Sequence, residues 1–178
     1  MTRSPLILAC LAASLILGGC GSRTVGKSID DQFTPSKVSA KIAQTNADLK
    51  TNSHIVVASY NGVVLLAGQT PSAELKNQAE QAARSVAGVK KLYNELQVMS
   101  PSSVSSLARM NDGTITSKIR TQMFADGNIP SSRIKVVTEN GLVFLLGLVS
   151  HQEADLATRV VQETAGVQKI VKLFEYTN

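Results

Sequence analysis

The sequence writes one hairpin twice. Asn61-Gly62 stands between the runs His54–Tyr60 and Val63–Gly68, and Asn140-Gly141 stands between Arg133–Glu139 and Leu142–Gly147. Asn-Gly between two apolar runs is the strongest short signal for a two-residue turn, because both central residues of a type I′ turn need positive φ. A lone two-stranded hairpin is marginal in water, so each copy must bury its apolar residues against other elements.

The repeat extends well past the hairpins. Val38-x-x-Lys41-Ile42 returns as Ile115-x-x-Lys118-Ile119, Ala79 as Ala157, and Ala87-Gly88-Val89 as Ala165-Gly166-Val167. The offset is 77 residues at the first of these, 79 at the hairpin and 78 at the last, so insertions fall between elements, as in duplicated domains. Apolar residues at i and i+4 predict a first helix near Ser36 to Ala47 and again near Thr114 to Ala125. Ser72 and Ser150 can each cap a second helix, reaching Val86 and Thr164, after which Gly88 and Gly166 supply a left-handed residue. The runs from Lys90 to Val98 and from Gln168 to Tyr176 alternate as closing strands. The expected fold class is α+β: two tandem modules, each α-β-β-α-β, with a three-stranded mixed sheet covered by two helices and the last strand parallel to its neighbour.

Around the modules the chain divides further. Residues 1–19 have a basic start at Arg3, an apolar run from Leu6 to Leu17 and small residues before Cys20, the layout of a secretory leader too short to span a bilayer. Leu17-Gly18-Gly19-Cys20 resembles the bacterial lipobox, which implies lipid attachment at Cys20 and, with Gly21-Ser22 following, retention at the outer membrane facing the periplasm. The expected order is a leader over 1–19, a lipidated linker over 20–35, a first module over 36–99, a Ser-rich linker over 100–110 and a second module over 111–178. With Cys10 in the leader and Cys20 lipidated, the mature chain has no thiol left for a disulfide or a metal.

Chemistry is sparse. His54 opens a strand and His151 a helix, at positions that do not match between copies. Glu153 and Asp155 lie two apart on a helix and point to different faces, which defeats a shared-proton pair. Phosphate-loop, nucleophile-elbow and zinc-helix motifs are missing, and Gly68 and Gly147 are expected to end strands at close-packed or turn positions. The expectation is a non-enzyme with no cofactor, no metal and no small-molecule substrate. Without Arg3, 17 basic residues face 13 acidic ones, a mild bias toward anionic partners. With no Trp and no lysines interleaved with aromatics, nucleic acid is not an expected partner.

The copies differ on their first helices. Ile115, Ile119, Gln122 and Met123 share the face expected to pack on the sheet. Phe124 falls on the opposite side among Ser117, Arg120 and Thr121, whereas Ala47 stands in its place in the first copy. Two readings of that ring follow. It folds under the Asp126–Pro130 loop against Ile129, or it projects into lipid acyl chains while Lys118, Arg120, Arg133 and Lys135 meet headgroup phosphates, as amphipathic segments with basic flanks do.

The α-β-β-α-β unit, with the stretch from Thr138 to Val149 and the paired Ala-Gly-Val steps, resembles the BON domain, and the whole chain resembles the dual BON-domain lipoproteins of Gram-negative envelopes. The resemblance implies an anionic phospholipid membrane as partner of the second module's first helix, support of envelope integrity, and recruitment to division sites. An alternative is an adaptor that docks envelope proteins through exposed strands or the Lys90-Lys91 region. In the phospholipid reading the first module would pack beside the second and set its orientation, one support and one working surface.

Overall fold

The computed structural model describes residues 25 to 177, with side chains from Gln32 onward; the expected leader and Cys20 lie outside the described residues. The first module comprises α1 (Val25–Thr45), α2 (Ala47–Thr51), β1 (His54–Tyr60), β2 (Val63–Thr70), α3 (Ala73–Arg84) and β3 (Lys91–Val98). The second comprises α4 (Ser106–Ala125), β4 (Ile134–Glu139), β5 (Leu142–Val149), α5 (His151–Gln162) and β6 (Lys169–Tyr176). Strand orders are β1-β2-β3 and β4-β5-β6; each hairpin is antiparallel and each closing strand is parallel to the central one. The α+β fold of two mixed three-stranded sheets is therefore the one the repeat implied.

Local chemistry explains the punctuation. Asn61, Gly62, Asn140 and Gly141 all have positive φ, between 50° and 81°, as a type I′ turn requires. Ser72 Oγ accepts from the Leu75 amide, and Ser150 forms a capping box with Glu153. Gly68 and Gly147 do not end their strands, which run to Thr70 and Val149. They sit where the paired strand passes too close for a side chain: a Cβ would stand 2.0 Å from the His54 carbonyl oxygen and 2.5 Å from that of Arg133.

Both expected spacers are partly helical. α1 begins at Val25 and carries Pro35 inside it, with Thr34 buried, so the helix starts about three turns before Ser36. Pro35, which normally breaks a helix interior, hides this start from a periodicity reading. The stretch from Ser100 to Met110 holds a short 3-10 turn over Pro101–Ser103, after which Ser105 Oγ caps α4 by accepting from Ala108 at 3.1 Å. One of the serines in the expected linker is thus a helix N-cap.

Among the described residues three apolar clusters hold the molecule together. Each module packs its two main helices on one face of its sheet, around Val38, Ile42 and Leu66 in the first and Ile115, Ile119 and Leu145 in the second. The third cluster joins the modules: Ala58, Tyr60, Val63, Leu65 and Ala67 meet Phe144, Leu146 and Leu173. The two sheets therefore lie face to face, and all eight residues of β2 are buried. Strands covered on both faces read as continuous apolar runs, which is why Val-Val-Leu-Leu and Leu-Val-Phe-Leu-Leu do not alternate. Burial of Leu65, Phe144 and Leu146 contributes about 1.5–3 kcal/mol per side chain.

Polar contacts edge this junction. Lys135 Nζ donates to the Ser59 carbonyl at 3.1 Å, Arg109 Nη2 donates to Gln69 Oε1 at 3.3 Å, and His54 Nε2 lies 3.5 Å from Glu139 Oε2. Each of these links one module to the other.

Candidate functional site

α4 turns one face to its own sheet and another to solvent. Ile115, Ile119 and Met123 are buried against the second module's core, as their spacing demands. Gln122, expected among them, is exposed at the flank of that face, where its Oε1 accepts from Thr164 Oγ1 at 3.1 Å. A residue the sequence reading passed over takes a structural place instead. Buried Asp112 accepts from the amides of Asn140 at 2.8 Å and Gly141 at 2.9 Å, clamping the hairpin turn. Its repeat position in the first module is Pro35, so a comparison of the two copies could have flagged it.

On the solvent side Phe124 is 81% exposed, while Ile129 is buried in the core by itself. The ring therefore does not fold under the Asp126–Pro130 loop. Ser117, Lys118, Arg120 and Thr121 are exposed on the same helix, and Arg120 and Thr121 share a groove with the ring. Lys118 and Arg120 make no hydrogen bond or ion pair among the described residues. Ser117 Oγ turns back to the Gly113 carbonyl at 2.9 Å and Thr114 Oγ1 to that of Met110 at 3.1 Å, which lowers the polarity of the exposed stripe. Leu107 and Met110, in a stretch expected to be linker, are 74% and 71% exposed on the same helix. Met110, Ser117 and Phe124 recur every seven residues and so share one line along a helix about 30 Å long.

The two remaining cations expected at this surface are engaged elsewhere. Arg133 Nη2 pairs with Glu153 Oε1, and Lys135 reaches across to Ser59. The sequence could not supply these partners, because Glu153 and Ser59 lie on other elements, and Ser59 in the other module.

What the fold brings together is a groove of about 410 Å³ beside α4, lined by Arg120, Thr121, Met123, Phe124, Ser131, Ser132, Ile134 and Val136. A second groove of about 580 Å³ shares Arg120, Ser131, Ser132, Ile134 and Val136 and continues between the edge strands β1 and β4, past Lys135. Among the described residues no acidic side chain lines either one. Ser117 and Lys118 stand outside both.

Other polar groups serve the framework. Burial pushes the Glu139 carboxyl up from its usual range, against the pull of His54 beside it. His151 stacks on Tyr176 with ring centres 4.0 Å apart. Among the described residues no cluster of three or more His, Cys, Asp or Glu is disposed to hold a metal ion, and no helix is long and apolar enough to cross a membrane.

Comparison with known proteins agrees with this architecture. The family model for the BON domain matches twice, over residues 30–100 and 111–178. The chain is 34% identical to the outer membrane lipoprotein DolP of Haemophilus influenzae across 99% of both proteins. It is 34% identical to the 21 kDa hemolysin of Actinobacillus pleuropneumoniae over 86% of this chain and 78% of that one. It is also 31% identical to the osmotically-inducible protein Y of Escherichia coli over 82% and 72% respectively.

Proposed function

Since this chain belongs to the BON-domain family, carrying two copies of the domain in the manner of DolP, we propose that it is an outer-membrane lipoprotein whose second module binds anionic phospholipid through α4. Lipid on Cys20 tethers the chain at the periplasmic face, each buried methylene contributing about 0.8 kcal/mol. α4 then adds contact with the bilayer surface, and the protein supports envelope integrity and gathers at division sites.

The observation that carries this reading is the exposed Phe124 ring beside Arg120, with Lys118 exposed on the same helix and Ala47 at the equivalent place in the first module. Two unpaired cations near an anionic surface are worth about 1 kcal/mol each. Burying the ring in acyl chains adds about 1.5–3 kcal/mol. The line through Met110, Ser117 and Phe124 favours a helix lying in the interface plane. The two sheets cover one another, so an adaptor partner would have only strand edges and helix faces to meet.

Pelleting with vesicles tests the proposal, using the mature chain with Cys20→Ser so that the anchor does not mask α4. Phosphatidylglycerol vesicles should carry the protein down at low salt while phosphatidylcholine vesicles leave it in solution. Phe124→Asp should weaken recovery far more than Ala47→Asp. Equal recovery on the two lipids would remove the phospholipid claim, and equal behaviour of the two variants would remove α4 as its site.

A further inference from the structure

We infer that the cleft between Phe124 and the Ser131–Ser132 turn seats one phospholipid molecule, its phosphate at Arg120 and an acyl chain along the cleft floor. The inference rests on the reading of α4 as a phospholipid-binding face and adds to it a defined site for a single molecule. A helix that only adsorbs on a bilayer needs an exposed ring, but it needs no recess beside that ring.

The recess has two kinds of lining. Its polar residues are Arg120, Thr121, Ser131 and Ser132, and neither serine hydroxyl makes a hydrogen bond among the described residues. Its apolar residues are the buried Met123, Ile134 and Val136, with Phe124 standing as a wall. A guanidinium with hydroxyls suits a phosphodiester, which accepts hydrogen bonds from both. An apolar floor suits a hydrocarbon chain. The volume of about 410 Å³ falls in the range of about 300–1,000 Å³ common for small-molecule sites, and the adjoining groove of about 580 Å³ gives a longer chain room to continue. Among the described residues no carboxylate lines the cleft beside Phe124, so its described lining is free of like charge that would oppose an anion.

The first module lacks the parts. Ala43 and Ala47 occupy the positions of Arg120 and Phe124, and the corresponding crevice, near Leu49 and Ser53, is about 270 Å³.

Dihexanoyl-phosphatidylglycerol below its aggregation concentration tests the seat, titrated into the isotope-labelled mature chain with Cys20→Ser and followed by NMR. Saturable shifts at Thr121, Phe124, Ser131 and Ser132, at least tenfold weaker binding of dihexanoyl-phosphatidylcholine, and a tenfold loss in Ser132→Glu and in Arg120→Gln are expected. Glycerol phosphate alone should bind at least tenfold more weakly than the lipid; equal binding would replace the lipid seat with a phosphate site. If phosphatidylglycerol vesicles pellet the protein but the monomeric lipid gives no saturable shifts, the seat is wrong and surface binding by α4 stands. If neither binds, both readings fall.

Discussion

Asn61 Nδ2 donates to Glu175 Oε2 at 2.9 Å across the junction between the modules. The duplicate position repeats the contact: Asn140 Nδ2 donates to Gln97 Oε1 at 3.3 Å. Glu175 and Gln97 are each the seventh residue of a closing strand, so the modules meet with approximate two-fold symmetry, each hairpin turn touching the other's last strand. Glu175→Ala and Gln97→Ala are expected to cost about 0.5–1.5 kcal/mol apiece in urea denaturation. Because the sheets share a core, the unfolding curve should show one transition; two separated transitions would contradict a joint folding unit.

Phe144 lies in the second module but packs on the first, at 1% exposure. Phe144→Ala should destabilise by about 3–5 kcal/mol. Amide exchange should quicken at Leu65 of the first module as well as around position 144. An effect confined to the second module would mean that the shared core transmits little.

Asp112 holds two turn amides, so Asp112→Ala strands both donors and is expected to cost about 1–3 kcal/mol. Asp112→Asn keeps one acceptor oxygen and should recover part of that loss. Thermal melts of the three proteins at one pH compare them directly, and equal melting of the alanine variant and the parent would show that water replaces the clamp freely.

Glu139 predicts a pH dependence. Burial, the largest influence, holds its carboxyl above the ordinary range in the folded state, and the neighbouring His54 opposes this. An acid whose folded value is raised favours folding when protonated; that contribution fades as pH climbs from the unfolded carboxylate value through the higher folded one. At neutral pH the ionised group is therefore a cost, and Glu139→Gln should melt higher than the parent. The gap should close at about pH 4 and below. A lower melting point for the variant at pH 7 would mean that the His54 contact outweighs burial.

Much of this molecule is legible in one dimension because its signals are local. Asn-Gly needs positive φ at two adjacent residues, Ser150 needs only Glu153 three places on, and Ile115, Ile119 and Met123 define a face by spacing alone. Those requirements fixed the order of elements, the duplication and the side of the helix on which Phe124 lies, since a helix of known phase has a known outer side; that the ring stays clear of the following loop is seen only in the fold.

Whatever depended on a partner distant in the chain stayed hidden. Arg133 and Lys135 read as cations for a membrane, yet Glu153 and Ser59 are brought to them by the α5 cap and by the other module. Asp112 carries no signal of its role in its own neighbourhood, because the turn amides it holds lie 28 and 29 residues further on. The sequence by itself determined two like modules and an aromatic residue on the outer side of one helix; only the tertiary structure decided that this ring stays exposed, that the two sheets press together and that Ser131 and Ser132 close a cleft beside it. Periodicity records which side of an element is apolar, but not which other apolar surface covers it, because hydrophobic burial is non-directional and any matching face could serve.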